Sequence, residues 1–180
     1  MQKMNQESEG VAFKKRIFET IVQQSIKTYT LEEAKRNIER YCAYQERCHQ
    51  EVTKKLLDMR MIPAAVDEIL AHLIQHNFLN EERFAKAFAR GKFRAKKWGK
   101  GRIIRELKKR QIGKYNIDQA LKELEEEDYE GVFDTLSRKR LQQLPSEKDK
   151  YRKRKKLADY LLYRGWEAHM VYDKVKELIP

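Results

Sequence analysis

Helix breakers are scarce in this chain, with 7 glycines and 3 prolines in 180 residues. That leaves room for long helices. Cysteine is almost missing: Cys42 and Cys48, six residues apart, make no disulfide framework. Their rarity fits a reducing, cytoplasmic setting. No run of about 18 apolar residues occurs, so no membrane span is expected. The opening stretch MQKMNQESEG is polar and lacks the apolar centre of a secretory signal. Strand signals are missing too, since no alternating segment is flanked by Asn-Gly or Asp-Gly. With 41% hydrophobic and 38% charged residues, the composition suits thin, mostly helical layers better than a thick buried sheet.

Catalytic signatures are also lacking. The four serines, Ser8, Ser25, Ser137 and Ser146, do not sit in a nucleophile elbow. There is no Walker lysine loop and no GxGxxG, so neither an enzyme nor a cofactor is expected. His72 and His76 stand four apart on a predicted helix, with Cys42, Cys48 and His49 upstream. Zinc sites use such residues at tighter cysteine spacing, and the two histidines flank Leu73, as residues rimming a core do. No metal is expected. The acids between Glu123 and Asp128 read as a solvated run or a balance to basic neighbours.

What is abundant is positive charge, +12 overall, and it is clustered. Arg83 to Lys114 holds fourteen Lys or Arg and one acid, and Arg138 to Lys156 holds ten against two. Between them, Glu123 to Asp134 carries seven acids and no base. Clustered like charges repel and destabilise a compact body. Scattered lysines would serve solubility as well, so an anionic partner is the favoured reading over a merely solubilising surface.

Beneath the charge lies a repeat. Around Met61, Ile112 and Trp166, the positions nine and five before and five, nine and twelve after are all large and apolar. They read Val52, Leu56, Met61, Val66, Leu70, Leu73; then Ile103, Leu107, Ile112, Ile117, Leu121, Leu124; then Leu157, Leu161, Trp166, Val171, Val175, Leu178. The period is about fifty residues. The spacings place two helices on either side of a corner at each reference residue, near Pro63, Gly113 and Gly165. A further helix precedes each pair. The first opens on Thr30 and Glu33, a capping-box spacing, and the second on Asn80, an N-cap. The third, DYEGVFDTLSRKRLQQL, opens after the acid run and closes before Pro145.

The expected fold is therefore all-α: an elongated, curved stack of three tandem three-helix repeats, about nine helices, each unit borrowing its neighbour's face. The units are placed at 28–79, 80–127 and 128–180. Residues 1–27, including VAFKKRIFETIVQQSI, form an N-terminal extension outside the pattern, either a loose helix or a short strand.

The segment KFRAKKWGKGRIIRELKKRQI, residues 92 to 112, holds ten Lys or Arg yet obeys the repeat through Ile103, Leu107 and Ile112. It is therefore folded. On the helix from Glu81, the expected inward stripe is Phe84, Phe88, Gly91 and Ala95, with Lys86, Arg90, Arg94 and Lys97 as a basic stripe beside it. On the next helix, Lys100, Arg102, Arg105, Lys108 and Lys109 spread outward, with Arg110 at the corner. The two sets are expected to share one broad surface, with Trp98-Gly99 at the turn between. Trp98 is either wedged between helices or a stacking platform. Base readout of duplex DNA is weakly supported, because the Lys100-to-Arg110 helix has no Asn or Gln.

Three stretches resemble the RecX regulatory proteins: FLNEERFAKAFARGKFR (Phe78 to Arg94), WGKGRIIRELKKRQI (Trp98 to Ile112) and KLADYLLYRGW (Lys156 to Trp166). The motif-matching residues are Arg83, Phe84, Trp98, Gly99, Arg102, Ile103, Glu106, Leu107, Arg164, Gly165 and Trp166. Phe84, Ile103, Leu107 and Trp166 read as core, and Glu106 as a partner for a neighbouring base or for Arg102. The resemblance covers about residues 35 to 178. It implies tandem helical repeats and a cytoplasmic, non-enzymatic protein that binds the RecA filament on single-stranded DNA. Such a protein restrains recombination and coprotease activity, and so acts in DNA repair and the SOS response. Contact residues are expected among the basic set and Arg164, in a monomer without metal or cofactor. The alternative is a free-standing, helix-turn-helix-like nucleic-acid-binding module, possibly transcriptional.

Overall fold

The computed structural model describes residues 28–124, 128–144 and 149–180. The 1–27 extension, the acids Glu125 to Glu127 and Pro145 lie outside them. Among the described residues there are nine helices and no strand: α1 (Leu31–Tyr44), α2 (His49–Asp58), α3 (Pro63–Gln75), α4 (Glu81–Lys96), α5 (Lys100–Lys109), α6 (Lys114–Lys122), α7 (Tyr129–Gln142), α8 (Lys150–Tyr163) and α9 (Ala168–Leu178). The architecture is an all-α helical repeat.

The helix starts follow the local chemistry. The Thr30 N–H donates to Glu33 Oε2 at 2.9 Å, and the Glu33 N–H donates back to Thr30 Oγ1 at 3.3 Å, closing the capping box of α1. Asn80 accepts the Arg83 N–H at 2.9 Å and opens α4. Pro63 takes the first position of α3, where its missing N–H has no intrahelical partner.

The three corners are built alike. Arg60, Gln111 and Gly165, each one residue before a reference position, have φ of 62°, 60° and 85°. The N–H groups of Met61, Ile112 and Trp166 then reach back to the carbonyls of Leu56, Leu107 and Leu161, at 3.1, 3.2 and 3.3 Å. Those of Arg60, Gln111 and Gly165 reach the carbonyls of Leu57, Lys108 and Leu162. This pair of bonds is a Schellman motif, whose two flanking residues share an apolar contact. None of the eighteen repeat positions is exposed: Met61, Leu70, Leu121 and Leu178 are half-buried and the rest are buried.

The interior divides in two. One cluster lies within α1 to α3 and the loop after them, around Ile38, Leu56, Ile69 and Leu73. The other is continuous through α4 to α9 and includes Cys48 from the start of α2. Its centre is aromatic: the Trp166 ring sits 4.7 Å from Tyr129, 4.9 Å from Phe133 and 6.3 Å from Phe93, between ring centroids.

The inward face of α4 differs from the expected stripe. Phe84, Ala85, Ala89 and Phe93 are buried, Phe88 is half-buried, and Gly91 and Ala95 are exposed. The reason is the partner. Small side chains at 85 and 89 let α4 pack closely on α6, its main neighbour, and Phe93 continues from there into the aromatic centre.

Corner positions tolerate side chains unequally. A methyl group at Gly165 would run into the backbone of Arg102, whereas Arg60 and Gln111 already carry side chains at positive φ. Gly165→Ala should therefore cost about 2–5 kcal/mol, from left-handed strain plus overpacking. Arg60→Gly and Gln111→Gly should stay within about 1 kcal/mol of the parent, on the stabilising side. Urea denaturation of the three variants reads this directly, and equal midpoints would refute it.

Asp134 of α7 accepts hydrogen bonds from Arg138 at 2.7 Å and from Lys174 of α9 at 2.8 Å. These bonds hold its carboxyl at about 2, below the ordinary 3.8. A depressed carboxylate adds stability above its ordinary value and loses it as pH falls through the folded one. Asp134→Asn should flatten the fall in stability from pH 3.8 down to about 2. A variant profile as steep as the parent's would refute the clamp.

Candidate partner-binding surface

The basic segment turns between α4 and α5 at Lys97, Trp98 and Gly99. Lys97 caps α4 in the left-handed region, with φ of 52°. Gly99 is the N-cap of α5 and makes no side-chain capping bond. The start of α5 is satisfied by the third set of helices instead. The Gly99 N–H donates to the Arg164 carbonyl and the Gly101 N–H to the Gly165 carbonyl, both at 2.9 Å. The Lys100 N–H donates to Tyr129 Oη at 2.9 Å, and that hydroxyl donates to Glu167 Oε2 at 2.8 Å. A methyl group at Gly99 would lie 2.5 Å from the Gly165 carbonyl oxygen, so the approach requires glycine there. Two of the three sequence stretches, Trp98-Gly99 and Arg164-Gly165-Trp166, are thus one contact.

Around this contact the basic side chains divide by chemistry. The Arg102 guanidinium stacks on Trp98 at 4.2 Å and on Tyr163 at 4.6 Å, and donates to the Tyr163 carbonyl at 3.3 Å. Trp98 is half-buried, with Phe88 at 6.4 Å, so one part of its ring is covered by protein and another by Arg102. Arg164 lies 4.7 Å over Tyr160 and donates to the Lys96 carbonyl. Arg110 lies 4.9 Å over Phe88 and pairs with Glu106 at 3.1 Å and with Glu51 of α2 at 3.7 Å. Glu106 thus holds Lys109 and Arg110, not Arg102. The Arg110 hydrogen bond, followed by that from Lys109, lowers its carboxyl below the usual range. Lys86 pairs with Glu82 at 2.8 Å and Glu123 at 3.7 Å, and Arg90 pairs with Glu123 at 2.7 Å. The Lys100 ammonium lies 5.2 Å over the Tyr129 ring.

The expected single surface is therefore divided. Lys86 and Arg90 turn toward α6, Arg110 toward α2, Arg102 joins α5 to α8, and Arg164 joins α4 to α8. Arg94, Arg105, Lys108 and Lys109 are exposed, and Lys109 keeps a 3.2 Å contact to Glu106. No sequence signal marked Glu123 as the partner of Lys86 and Arg90, since it stands 33 residues from Arg90.

The histidines have carboxylate neighbours. His72 Nε2 lies 2.6 Å from Glu39 and His49 Nδ1 lies 2.7 Å from Glu81. No cluster of three metal-ligating side chains occurs among the described residues. Cys42 and Cys48 are free and buried, and burial pushes the Cys42 thiol up to about 11. No helix among the described residues is long and apolar enough to cross a membrane.

Residues 80–121 match the family model described as RecX, second three-helix domain. A regulatory protein RecX of Serratia proteamaculans is 33% identical over 104 residues, 58% of this chain and 60% of that protein. Another, from Ectopseudomonas mendocina, is 30% identical over 129 residues, 72% of this chain and 83% of that protein. The chain belongs to the RecX family. Its fold agrees with two solved RecX structures, each 23% identical and covering 82% of the chain. One is a crystal structure of regulatory protein RecX (TM-score 0.71, 71% of that chain) and the other is RecX from Lactobacillus salivarius (TM-score 0.69, 96% of that chain). Other relatives are longer. The chain spans 52% of a Lactobacillus delbrueckii RecX, about half its length.

Arg102 lies over two rings, Trp98 and Tyr163, and this double stack depends on a planar group. Arg102→Lys keeps the charge and removes the double stack. The expected cost is about 1 kcal/mol, with a change in tryptophan emission. An unchanged spectrum and an unchanged denaturation midpoint would show that the stack contributes nothing.

Proposed function

We propose that this chain binds the RecA–single-stranded DNA filament and restrains recombinase and coprotease activity by docking, without catalysing a reaction. Membership of the RecX family carries the reading. The folded placement of Arg94, Arg105, Lys108 and Lys109 supports it, because exposed cations on rigid helices suit a groove that displays both acidic side chains and phosphate. The chain acts as a cytoplasmic monomer and needs no metal or cofactor. The units at 28–79, 80–127 and 128–180 present successive faces along the filament.

The outward side chains of α5 are the working contact. Added well below stoichiometric amounts, the protein should inhibit RecA ATPase and strand exchange on single-stranded DNA. Arg105→Glu with Lys108→Glu should abolish that inhibition while circular dichroism shows unchanged helix content. Inhibition that survives the double reversal would mean another surface makes the contact. Sequence-preferring binding to naked duplex, with no effect on RecA, would support a free-standing nucleic-acid-binding module instead.

A further inference from the structure

A groove of about 470 Å³ lies between the C-terminal end of α4 and helices α7 and α8. Its lining includes Lys96, Lys97, Lys139, Arg140 and Arg164 around Tyr160, and no acidic residue. These five cations come from two helices, α4 and α7, and two turns, and only Lys97 and Arg164 belong to the basic set expected from sequence. Among the described residues, the ammonium groups of Lys96, Lys97 and Lys139 make no hydrogen bond or ion pair. The two guanidiniums each lie 4.7 Å from the centroid of Tyr160. Their polar contacts are to neutral acceptors: Arg140 to Gln143 Oε1 at 3.4 Å, and Arg164 to the Lys96 carbonyl.

The Nε atoms of Arg140 and Arg164 are buried and have no hydrogen-bond partner. A buried, unsatisfied donor on a charged group is costly, and native proteins keep few of them without a reason. Five positive charges around one ring, without a counter-charge, add mutual repulsion. An anion in the groove would relieve that repulsion.

The shape of the site separates a chain of phosphates from a lone ion. An adjoining cavity of about 310 Å³ shares Lys97, Leu136 and Lys139, then continues along Gly131, Val132 and Thr135, with Asp128 its one acid. The cationic groove thus opens at Lys97 and Lys139 into an elongated trough, which gives a chain longer than one phosphate a path out of the site. Tyr160 is already covered by guanidinium, so it offers no platform for a base, and the grip is on the backbone alone. Planar guanidinium forks beside ammonium point charges also match phosphate oxygens well.

We propose that this groove is an anion site that holds the backbone of single-stranded nucleic acid without regard to base sequence. The inference rests on the reading of the chain as a filament binder. It names the filament component met at this face, which is separate from the α5 contact.

The test uses the full-length protein and labelled oligothymidylate, without RecA, titrated across a range of salt concentrations. Lys97→Ala with Lys139→Ala removes two side chains that make no polar contact within the protein. The double variant should bind several-fold more weakly at low salt. Its plot of log affinity against log salt should be shallower by about 0.7 for each phosphate that is no longer neutralised. Oligoadenylate should respond as oligothymidylate does. In the parent protein, bound oligothymidylate should protect Lys97 and Lys139 from acetylation, a readout that does not depend on the variant folding. An unchanged salt slope or absent protection would overturn the proposal. So would a double variant that loses polyglutamate binding while holding the oligonucleotide as before. A parent protein that binds no oligonucleotide also overturns it, yet leaves the filament reading intact, because RecA inhibition is measured separately.

Discussion

The architecture depends on one contact, where the start of α5 meets the turn between α8 and α9. A helix begins with backbone N–H groups that have no partner within it. At α5 the N-cap is a glycine and supplies no side-chain acceptor. The acceptors come from far along the sequence, the carbonyls of Arg164 and Gly165 and the hydroxyl of Tyr129. The carbonyls belong to a helix C-terminus, so the partial charges that meet are of opposite sign. The distance works only because Gly99 and Gly165 lack a Cβ. Once the two turns are seated, Trp166 and Tyr129 lie between them and close the aromatic centre. The backbone bonds and the apolar core of α4 to α9 therefore support one another, and neither would form alone with this geometry.

The same corners explain why the repeat is legible in the sequence. Apolar residues recur at the reference position and five before it because they flank a Schellman turn and touch across it. The turn's usual marker is glycine at the left-handed position, yet only the third copy has one; the others hold Arg60 and Gln111. Apolar spacing is the stronger signal, since it reflects burial, which all three copies share. The phase of α4 is less legible. Alanine reads as inward or outward with equal ease, so pattern alone favours Gly91 and Ala95 where the fold buries Ala85 and Ala89. What decides the face is the helix packed on it, which no local pattern reveals.

The charged residues are the least legible, for a related reason. Sequence shows that cations are dense but not which are committed to the fold. The structure separates them by the partners they meet. Arg83, Arg102, Arg110 and Arg164 bridge helices through carbonyls, carboxylates and aromatic rings, and exposed Arg105 and Lys108 point away from the body. A planar guanidinium can bond along its edge and stack on its face at once, which an ammonium cannot. A chain of net charge +12 can then fold compactly by using arginine as an internal connector. Partners of these connectors lie far off in the chain: Glu46 is 37 residues from Arg83, and the Lys96 carbonyl is 68 from Arg164.

The two junctions between successive sets of helices are not equivalent. From α4 to α9 the apolar core is continuous. Between α1–α3 and α4–α6 the junction is chiefly polar: Arg83 with Glu46 at 2.5 Å, His49 with Glu81 at 2.7 Å and Arg110 with Glu51 at 3.7 Å, with Cys48 the buried link. Glu46 Oε2 and Glu51 Oε2 are buried there without hydrogen-bond partners. Partly exposed ion pairs contribute little and are screened by salt. The placement of α4 to α9 is set by burial, whereas that of α1 to α3 rests on ion pairs that salt screens. A protein built this way holds its cationic groove and its α5 face in a constant relation. The junction made mostly of charge is therefore the one that salt weakens first.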